Sequence, residues 1–407
     1  MTSFHNLVSF QSNSVANAHI IRSDAEALEI ATRLAEQFQH NAIQRDSDRQ
    51  LPFDEIESYS QSDLWAITVP KEYGGAEVSS YTVARIIALM SGADGSIGQT
   101  PQNHFYALEV LRNTGTVQQK QKLYAEVLKG ARFGNALAEF KTKNSTQKYS
   151  AISATSDGFE VNGEKFYCTG SLFAHRIPTL VKNAEGREFL AFIPRESEGL
   201  ELIDDWSGFG QRTTGSGTVK FNHVQVKAED VIAFDDAFST PTLVGPFAQI
   251  MHAAIETGIA RAAFEETLLR VRQARPWIDS GVDTATEDPL TKFELGRIVA
   301  DVRASEVLLK QAARSIDAAK PYPTVENIAK ASLDVAKVRA HSTDTALKAS
   351  SKLIELAGSR GSQRSDGLDR FWRNARVHTL HDASRWKYYF IANYVLNGVL
   401  PPRRGTL

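Results

Sequence analysis

Cysteine is almost absent from this sequence, because Cys168 is the only one in 407 residues. Without a second thiol, the chain has no means of forming an internal disulfide. Disulfides are characteristic of exported proteins, so a single thiol is typical of a reducing compartment. The stretch from Met1 to His19 is polar and lacks a basic segment followed by an apolar core. We therefore expect no export signal and a cytoplasmic location.

Three further absences restrict the partners of the chain. No uninterrupted apolar run approaches about eighteen residues, the length expected of a membrane-spanning helix. The formal net charge is only -2, so there is no general attraction to nucleic acid or to a membrane surface. The Gly-x-Gly-x-x-Gly fingerprint of nicotinamide dinucleotide sites is also missing. We therefore expect no nucleic acid and no membrane as a partner, and an external source for any electrons that the chain uses.

What is present is the composition of a globular protein, with 42% hydrophobic and 23% charged residues. Apolar residues recur every three or four positions up to about residue 131, as in Leu34, Ala35 and Phe38, which predicts helices. Short extended runs follow, and helical spacing then resumes. The pattern predicts an α+β fold with an N-terminal helical domain (20–131), a central β-domain (132–234) and a C-terminal helical bundle (235–407).

Individual elements can be placed more closely. Residues 158–167 are predicted to form a strand, a turn at Asn162-Gly163 and a returning strand, because an Asn-Gly pair favours a tight hairpin turn. Other extended runs lie at 189–193, 218–221 and 224–226. The expected C-terminal helices, interrupted by proline and glycine, are 247–274, 291–318, 325–356 and 386–396.

The densest group of reactive side chains lies near the C-terminus, between Asp369 and Asp382. It includes His378 and His381, whose imidazoles can hold or exchange protons near neutral pH. Asp382 has a second interpretation as the N-cap of a helix that begins near Trp386. A third interpretation is a zinc or iron site at the two histidines, although no second Cys/His group completes it.

The order of elements and several motifs resemble the acyl-CoA dehydrogenase family over nearly the whole chain, from Asp24 to Leu396. Two family motifs carry this resemblance, LWAITVPKEYGG at 64–75 and GEKFYCTG at 163–170. The chain is more closely similar to the flavin-dependent monooxygenases of that family, typified by dibenzothiophene monooxygenases and sulfur-acquisition oxidoreductases. The motifs shared with this branch are DDW at 204–206, QARPW at 273–277, ATEDP at 285–289, DRFWRN at 369–374 and HTLHD at 378–382.

The resemblance implies a two-component monooxygenase that receives reduced FMN from a separate NAD(P)H:flavin reductase. Reduced FMN and O₂ would form a C4a-hydroperoxide that oxygenates a small organosulfur compound. The positions that match the catalytic residues of the family are Asn135, Thr169, His378 and His381, with Asn135 and Thr169 also facing the flavin. Arg275 and Arg360 match the positions that hold the FMN phosphate, a role for which the guanidinium fork is suited. Arg270 or Arg272 could replace Arg275, and Arg360 has a second interpretation as a cation at a helix C-terminus. A neighbouring subunit completes the flavin site in this family, which implies a homotetramer or at least a dimer.

The residues expected around the substrate are Gln99, His104, Trp206 and Val244. Gln99 replaces a histidine of the dibenzothiophene enzymes, and Val244 replaces a phenylalanine. We therefore expect a pocket of different shape and a smaller substrate than dibenzothiophene.

Two alternatives remain open from the sequence. One is an acyl-CoA dehydrogenase with FAD, in which Asp382 would be the base at the position of the family's glutamate. Asp382 is one methylene shorter than that glutamate, and a base displaced by about 1 Å can cost about a hundredfold in rate. At the other known location of the base this sequence has Ala248, which cannot accept a proton. The second alternative is a binding protein that kept the fold without the activity.

Overall fold

The computed structural model describes residues 19–139 and 149–406, and all structural statements below refer to them. They form eleven α-helices and seven β-strands. The N-terminal helices are α1 (Asp24–Gln39), α2 (Ala42–Asp48), α3 (Phe53–Gln61), α4 (Ser80–Ala93), α5 (Pro101–Thr114) and α6 (Val117–Leu128). The strands are β1 (Ala151–Thr155), β2 (Gly158–Lys165), β3 (Arg176–Lys182), β4 (Glu188–Pro194), β5 (Leu200–Ile203), β6 (Thr218–Val226) and β7 (Val231–Ala233). The C-terminal helices are α7 (Val244–Gln273), α8 (Pro289–Ala319), α9 (Val325–Leu356), α10 (Asp369–His378) and α11 (Arg385–Asn397).

The predicted α+β architecture is confirmed, with helices, then a sheet, then a second set of helices along the chain. The bounds of α9 coincide with the predicted 325–356, and α7, α8 and α11 lie within three residues of the predicted limits. Long helices with a regular apolar spacing are the elements that sequence patterns locate best. The boundaries of the three domains stay a prediction.

The seven strands form one sheet in the order β5-β6-β2-β1-β3-β4-β7. Its pairs are antiparallel except for β1 and β3, which are parallel. The segment after α6 adds two parallel bridges beside β3, Phe133 with Arg176 and Ala136 with Thr179. This pairing holds the backbone around residue 135 against the sheet.

The predicted turn at Asn162-Gly163 is wrong. The hairpin between β1 and β2 turns at residues 156–157, and β2 then runs through Asn162 as one strand. Opposite Asn162, β6 carries a bulge at residues 222–223, so the two runs expected at 218–221 and 224–226 are one strand. The Asn162 side chain accepts a hydrogen bond from the backbone N–H of His223 at 2.8 Å. This asparagine therefore supports a β-bulge instead of a hairpin turn.

Helix α7 lies at the centre of the helical part and packs against α4, α5, α8, α9 and α10. Every residue from Val244 to Ala260 is buried, so this half of the helix has no face toward solvent. Gly258 permits the closest approach, since a Cβ added there would lie 2.1 Å from the carbonyl oxygen of Ala88 in α4. No helix within the described residues is both long enough and apolar enough to cross a membrane.

We predict that Gly163→Ala destabilises the β-domain. Gly163 has a φ of +145°, and an added Cβ would lie 2.4 Å from Ser150 Oγ. Backbone strain of this kind costs about 1–3 kcal/mol per residue, so the urea midpoint of unfolding should fall. Gly296→Ala in α8 is the matched control, because nothing lies within 4 Å of its added Cβ and alanine favours a helix by roughly 0.5–1 kcal/mol. Equal midpoints for the two variants would contradict the assignment of strain to Gly163.

Candidate functional site

The candidate site lies where the N-terminal helices, the sheet and the C-terminal helices meet, and Gln211 joins all three. Its backbone N–H donates to Asn374 Oδ1 in α10 at 2.7 Å. Its side-chain amide donates to Gln99 Oε1 at 2.6 Å and to the Gly95 carbonyl at 3.2 Å, both between α4 and α5. A φ of +46° at Gln211 allows the loop to present both groups at once. Three segments that are distant in sequence are thus tied together by one buried residue.

Thr169 lies just beyond β2, on the β2–β6 side of this junction. The flanking backbone pairs with the segment that leads into β6, through Cys168 N–H to Gly217 O and Gly170 N–H to Thr214 O, both at 3.0 Å. The Thr169 hydroxyl is 2.9 Å from Ser216 Oγ. Ser216 Oγ is in turn 2.8 Å from Thr214 Oγ1, which donates to the Gln211 carbonyl. A chain of buried hydroxyls therefore links Thr169 to the Gln211 junction.

Asn135 carries a buried polar atom that lacks a partner. Its backbone is fixed by Ser171, which accepts from Asn135 N–H at 3.2 Å and donates to Asn135 O at 2.8 Å. Its side-chain Oδ1 is buried and has no hydrogen-bond partner. An unpartnered buried carbonyl is costly unless a bound group donates to it. Asn135 therefore fits a site that holds a polar cofactor.

The backbone next to Thr169 lies close to residues that flank Gln99 and Asn135. A Cβ added to Gly170 would lie 3.2 Å from Thr100 Cγ2 and 3.9 Å from Gly134 Cα.

His381 closes the other side of the site. Its Nδ1 is 2.8 Å from the His378 carbonyl, and its Nε2 is 2.7 Å from Gln99 Nε2. A carbonyl only accepts, so Nδ1 of neutral His381 carries the proton and Nε2 accepts from the Gln99 amide. The side chain is exposed in the single chain, yet both ring nitrogens are engaged. His381 can donate to a ligand from Nε2 only if it is protonated there and Gln99 moves.

His378 is fully buried and belongs to a second network. Its Nδ1 is 3.0 Å from Glu256 Oε1, and its Nε2 is 3.0 Å from Nδ1 of His252. The rings of His252, His378 and His381 have centroids 4.9–5.2 Å apart. Burial, followed by the charges of neighbouring groups, holds the pKa of His252 and of His378 well below the ordinary value of histidine. These imidazoles are therefore neutral at physiological pH.

Glu256 organises this second network from the middle of α7. Arg339 donates to its Oε1, and the hydroxyls of Ser342 and Thr343 each donate to its Oε2 at 2.9 Å. Neither Glu256 nor Arg339 is accessible to solvent. Every partner of the carboxyl group is a donor, which is the environment that a carboxylate requires when it is buried.

The sequence interpretation missed His252 and Glu256, although α7 contains a signal for both. Gln249, His252 and Glu256 are polar residues spaced by three and four positions in an otherwise apolar buried stretch. That spacing places them on one face of a helix. Polar residues on one face of a buried helix must bond to partners, and this face could have been recognised as a functional surface.

Asp382 is not a helix N-cap, so that interpretation is wrong. Helix α11 begins at Arg385 after Ser384, without a side-chain cap. Asp382 instead accepts from Arg339 Nη2 and from Lys387 Nζ, both at 3.1 Å. Burial favours protonated Asp382, but the charges of Arg339 and Lys387 outweigh this effect and hold its pKa below the ordinary value.

The metal interpretation finds no support in the arrangement of these groups. Within residues 19–139 and 149–406, no group of three or more His, Cys, Asp or Glu side chains is arranged to hold a metal ion. The imidazole nitrogens of His378 and His381 instead bond to protein groups.

The two predicted phosphate ligands are separate from these networks. Arg275 follows the end of α7, and Arg360 follows the end of α9. Both side chains are exposed and make no hydrogen bond or ion pair with the described residues. Arg270, an alternative to Arg275, is instead engaged by Glu266 and Asp366.

The four predicted pocket residues separate into two groups. Gln99 belongs to the junction described above, and Trp206 joins it by donating its indole N–H to the Gln211 carbonyl at 2.9 Å. His104 lies outside this junction and is fully buried, so its place in the pocket stays a prediction. Its Nε2 donates to Trp65 O at 2.8 Å, and its Nδ1 accepts from Phe133 N–H at 3.0 Å. Val244 is likewise fully buried, so it does not line a cavity that is open to water.

Comparisons with known proteins agree with this architecture. The family model for the acyl-CoA dehydrogenase N-terminal domain matches residues 25–131, and the model for the C-terminal domain matches residues 250–386. Dibenzothiophene monooxygenase from Rhodococcus erythropolis is 30% identical over 400 residues, which cover 93% of this chain and 95% of the relative.

Two solved structures extend the comparison to three dimensions. FMN-bound TdsC from Paenibacillus sp. A11-2 is 30% identical and covers 94% of this chain and 100% of its own, with a TM-score of 0.89. Methanesulfinate monooxygenase MsuC from Pseudomonas fluorescens is 27% identical and covers 93% of this chain and 99% of its own, with a TM-score of 0.87.

The buried histidines predict that the protein loses stability below about pH 6.5. Burial lowers the pKa of His104 to about 3 and that of His175 to about 4, and His252 and His378 shift in the same direction. The unfolded chain binds more protons at these residues than the folded chain, so stability is present above about pH 6.5 and falls as the pH decreases. Each group contributes up to about 1.4 kcal/mol per pH unit.

Asp63 opposes this trend, because burial raises its pKa to about 7. Its contribution to stability is lost as the pH rises toward that value. Because one aspartate opposes four histidines, the histidines set the sign of the change in stability with pH. We therefore expect the urea midpoint to fall between pH 7.5 and 5.5, and to fall less steeply in His104→Gln. A midpoint independent of pH in this interval would contradict the neutral state of the buried histidines.

Proposed function

We propose that this chain, which belongs to the acyl-CoA dehydrogenase family, is a flavin-dependent monooxygenase that uses reduced FMN and O₂ to oxygenate a small organosulfur compound. The proposal rests on the state of Asp382, the carboxylate that a dehydrogenase of this fold would need as its base. A general base works best when its pKa lies near the working pH. Asp382 is engaged by Arg339 and Lys387 and has a lowered pKa, so it is poorly suited to remove a proton from a thioester.

The second location of a dehydrogenase base is also without a suitable group. Ala248 occupies it and is buried in α7. Glu256, two turns further along the helix, is surrounded by donors and has no accessible surface. None of the three positions offers a free carboxylate to a thioester.

The residues of the site fit a flavin mononucleotide. Asn135 supplies an unpartnered buried carbonyl for an N–H or O–H group of a ligand. Arg275 and Arg360 are exposed cations without partners among the described residues, and guanidinium groups are suited to phosphate. FMN in TdsC supports the choice of this cofactor. When bound in reduced form, FMN would supply the two electrons needed to activate O₂.

The roles of the chain's own residues follow from their hydrogen bonds. Thr169 presents a hydroxyl held by Ser216, and Asn135 presents an amide on a backbone clamped by Ser171. His378 and Gln99 fix the orientation of His381 at the opposite side. Groups fixed before a ligand arrives need little reorganisation during the reaction, although Gln99 must release Nε2 of His381 before that nitrogen can bind a ligand. We propose that Asn135, Thr169, His378 and His381 form the catalytic group.

A second copy of the chain would complete the site in this proposal. Arg275 is followed by an exposed apolar surface, which we call the α7–α8 surface and which consists of Trp277, Ile278, Leu290 and Phe293, with exposed fractions of 69%, 87%, 74% and 60%. Exposed apolar side chains that cluster in this way mark interaction sites. We propose a homotetramer.

The names of the relatives support an organosulfur substrate. Dibenzothiophene is a large aromatic compound, whereas methanesulfinate is small, and enzymes named for both are similar to this chain. Gln99 in place of a histidine, held by Gln211, favours the smaller class.

The absence of a nicotinamide fingerprint supports a separate NAD(P)H:flavin reductase as the source of reduced FMN. The single cysteine supports a cytoplasmic reaction.

The proposed function predicts which assay will detect activity. With FMN, NADH and a flavin reductase, we expect substrate-dependent O₂ consumption and an oxygenated product, tested with methanesulfinate and dibenzothiophene. With FAD, butyryl-CoA and an electron-accepting dye, we expect no reduction of the dye. Ready dye reduction without oxygenation of either sulfur compound would overturn the proposal and support the dehydrogenase.

Arg275→Ala should weaken FMN binding without changing the fold. A charged hydrogen bond to phosphate is worth about 1.5–3 kcal/mol, so we expect a roughly ten- to hundredfold rise in the Kd for FMN, measured by titration. The melting temperature should stay unchanged because Arg275 has no partner among the described residues. Arg272→Ala is the variant for comparison, since Arg272 is also exposed, lies in the last turn of α7 and is the alternative phosphate ligand. An unchanged Kd in Arg275→Ala would place the phosphate elsewhere, and a rise in Arg272→Ala alone would assign it to Arg272.

A further inference from the structure

His252 is a residue of the candidate site that the family motifs do not include, and its surroundings give it a defined chemical state. It lies on α7, and its ring contacts those of both His378 and His381. We propose that His252 binds the ligand of this site by accepting a hydrogen bond at Nε2. Glu256 keeps this nitrogen unprotonated, because it fixes the proton of His378, which in turn fixes the proton of His252. The matching group on the ligand is an N–H or O–H donor.

The proton positions start from Glu256. Arg339, Ser342 and Thr343 all donate to its carboxyl group, so the group facing His378 is an acceptor. The proton of His378 must therefore be on Nδ1, which lies 3.0 Å from Glu256 Oε1. Because neutral imidazole carries a single proton, Nε2 of His378 is then an acceptor.

The same reasoning determines His252. Its Nδ1 lies 3.0 Å from Nε2 of His378, and one of these two atoms must donate. Since His378 Nε2 accepts, His252 Nδ1 carries the proton and His252 Nε2 has a free lone pair. The resulting chain is Glu256 carboxylate, His378 and His252, with each imidazole donating from Nδ1. In catalytic triads a buried carboxylate selects the tautomer of a histidine in the same way without being protonated itself.

His252 Nε2 is also open to a ligand. It makes no hydrogen bond to the described residues, and it is not among the buried atoms without partners. His252 is 8% exposed, whereas His378 has no exposed surface. His381 cannot serve in its place, because its Nε2 already accepts from Gln99. Among His252, His378 and His381, the nitrogen that can accept a hydrogen bond from a ligand is therefore Nε2 of His252.

The charged groups around the cluster keep this state. Glu256 and Asp382 are paired with Arg339, and Asp382 also with Lys387. Two carboxylates and two cations thus balance beside the three imidazoles. A protonated His252 would add an uncompensated positive charge to this buried group, which is unfavourable.

The identity of the ligand rests on the proposed function, whereas the proton positions do not. Reduced FMN carries ring N–H groups that oxidised FMN lacks, so it is a donor of the required kind. An acceptor fixed at His252 would therefore favour reduced over oxidised FMN. A merely structural histidine would not distinguish between the two.

The first test locates the protons in the ligand-free protein. In wild-type protein with ¹⁵N-labelled histidine, NMR should show His252 protonated on Nδ1 between pH 6.5 and 8. His104 is an internal reference of the opposite tautomer, because its Nε2 donates to Trp65 O and its Nδ1 accepts from Phe133 N–H. Protonation of His252 on Nε2, or on both nitrogens, would overturn the proposal.

Two variants test whether the carboxylate acts through His378. His378→Phe removes the acceptor for His252, so Nε2–H should become populated there. His378→Gln keeps a carbonyl for His252 and an amide for Glu256, and should preserve the Nδ1–H form. The reference signal of His104 reports whether each variant is folded. If His252 keeps Nδ1–H in folded His378→Phe, Glu256 does not control it and the proposal fails.

The last test concerns the ligand. Under anaerobic conditions, His252→Phe should raise the Kd for reduced FMN by roughly three- to tenfold, the effect of one hydrogen bond, and leave oxidised FMN unchanged. Equal effects on both forms would refute the role of His252 as an acceptor for this ligand. Failure of the wild-type protein to bind either form, with His252 still protonated on Nδ1, would count instead against the proposed function.

Discussion

The buried carboxylate of Glu256 is the constraint on which the candidate site depends. A charge without solvent contact is tolerated only if donors surround it, and Glu256 has four, from Arg339, Ser342, Thr343 and His378. These partners come from α9 and α10, so the hydrogen bonds to this carboxylate hold both helices against α7. Arg339 extends the network to Asp382. The orientation of His378 and the lowered pKa of Asp382 both follow from this arrangement.

The network around Gln211 positions the remaining groups of the site. It is made of neutral amides and hydroxyls and extends from Asn374 through Gln99 to His381, and through Thr214 and Ser216 to Thr169. The two networks meet at His378 and His381, where the carbonyl of one holds the ring of the other. A ligand between them would contact an ionic side that holds imidazoles neutral and a neutral side made of hydroxyls and amides. This division suits a site that binds its ligand through hydrogen bonds from neutral groups, without a change in the net charge of the protein.

Regular elements were predictable from the sequence, whereas irregular ones were not. The bounds of α9 coincide with its apolar periodicity, because a long helix must repeat one buried face. The Asn162-Gly163 pair has the composition of a hairpin turn, yet it lies inside β2 beside a bulge of β6. Local composition cannot distinguish these two uses, since the difference lies in the strand that pairs with it. The hydrogen bonds of His104 were unpredictable for a similar reason, because its partners Trp65 and Phe133 lie 39 and 29 residues away.

By itself, the sequence determined the α+β class and the family resemblance, whose motifs mark His378, His381, Asn135 and Thr169 as candidates. These follow from residue types and short spacings, which the chain carries without folding. Only the tertiary structure decided what state each group is in. The bonds of His378 to Glu256 and His252 span 122 and 126 residues, and the ion pair of Asp382 with Arg339 spans 43. Protonation and acceptor character depend on distances of about 3 Å between atoms, and no sequence pattern specifies such distances across separate helices.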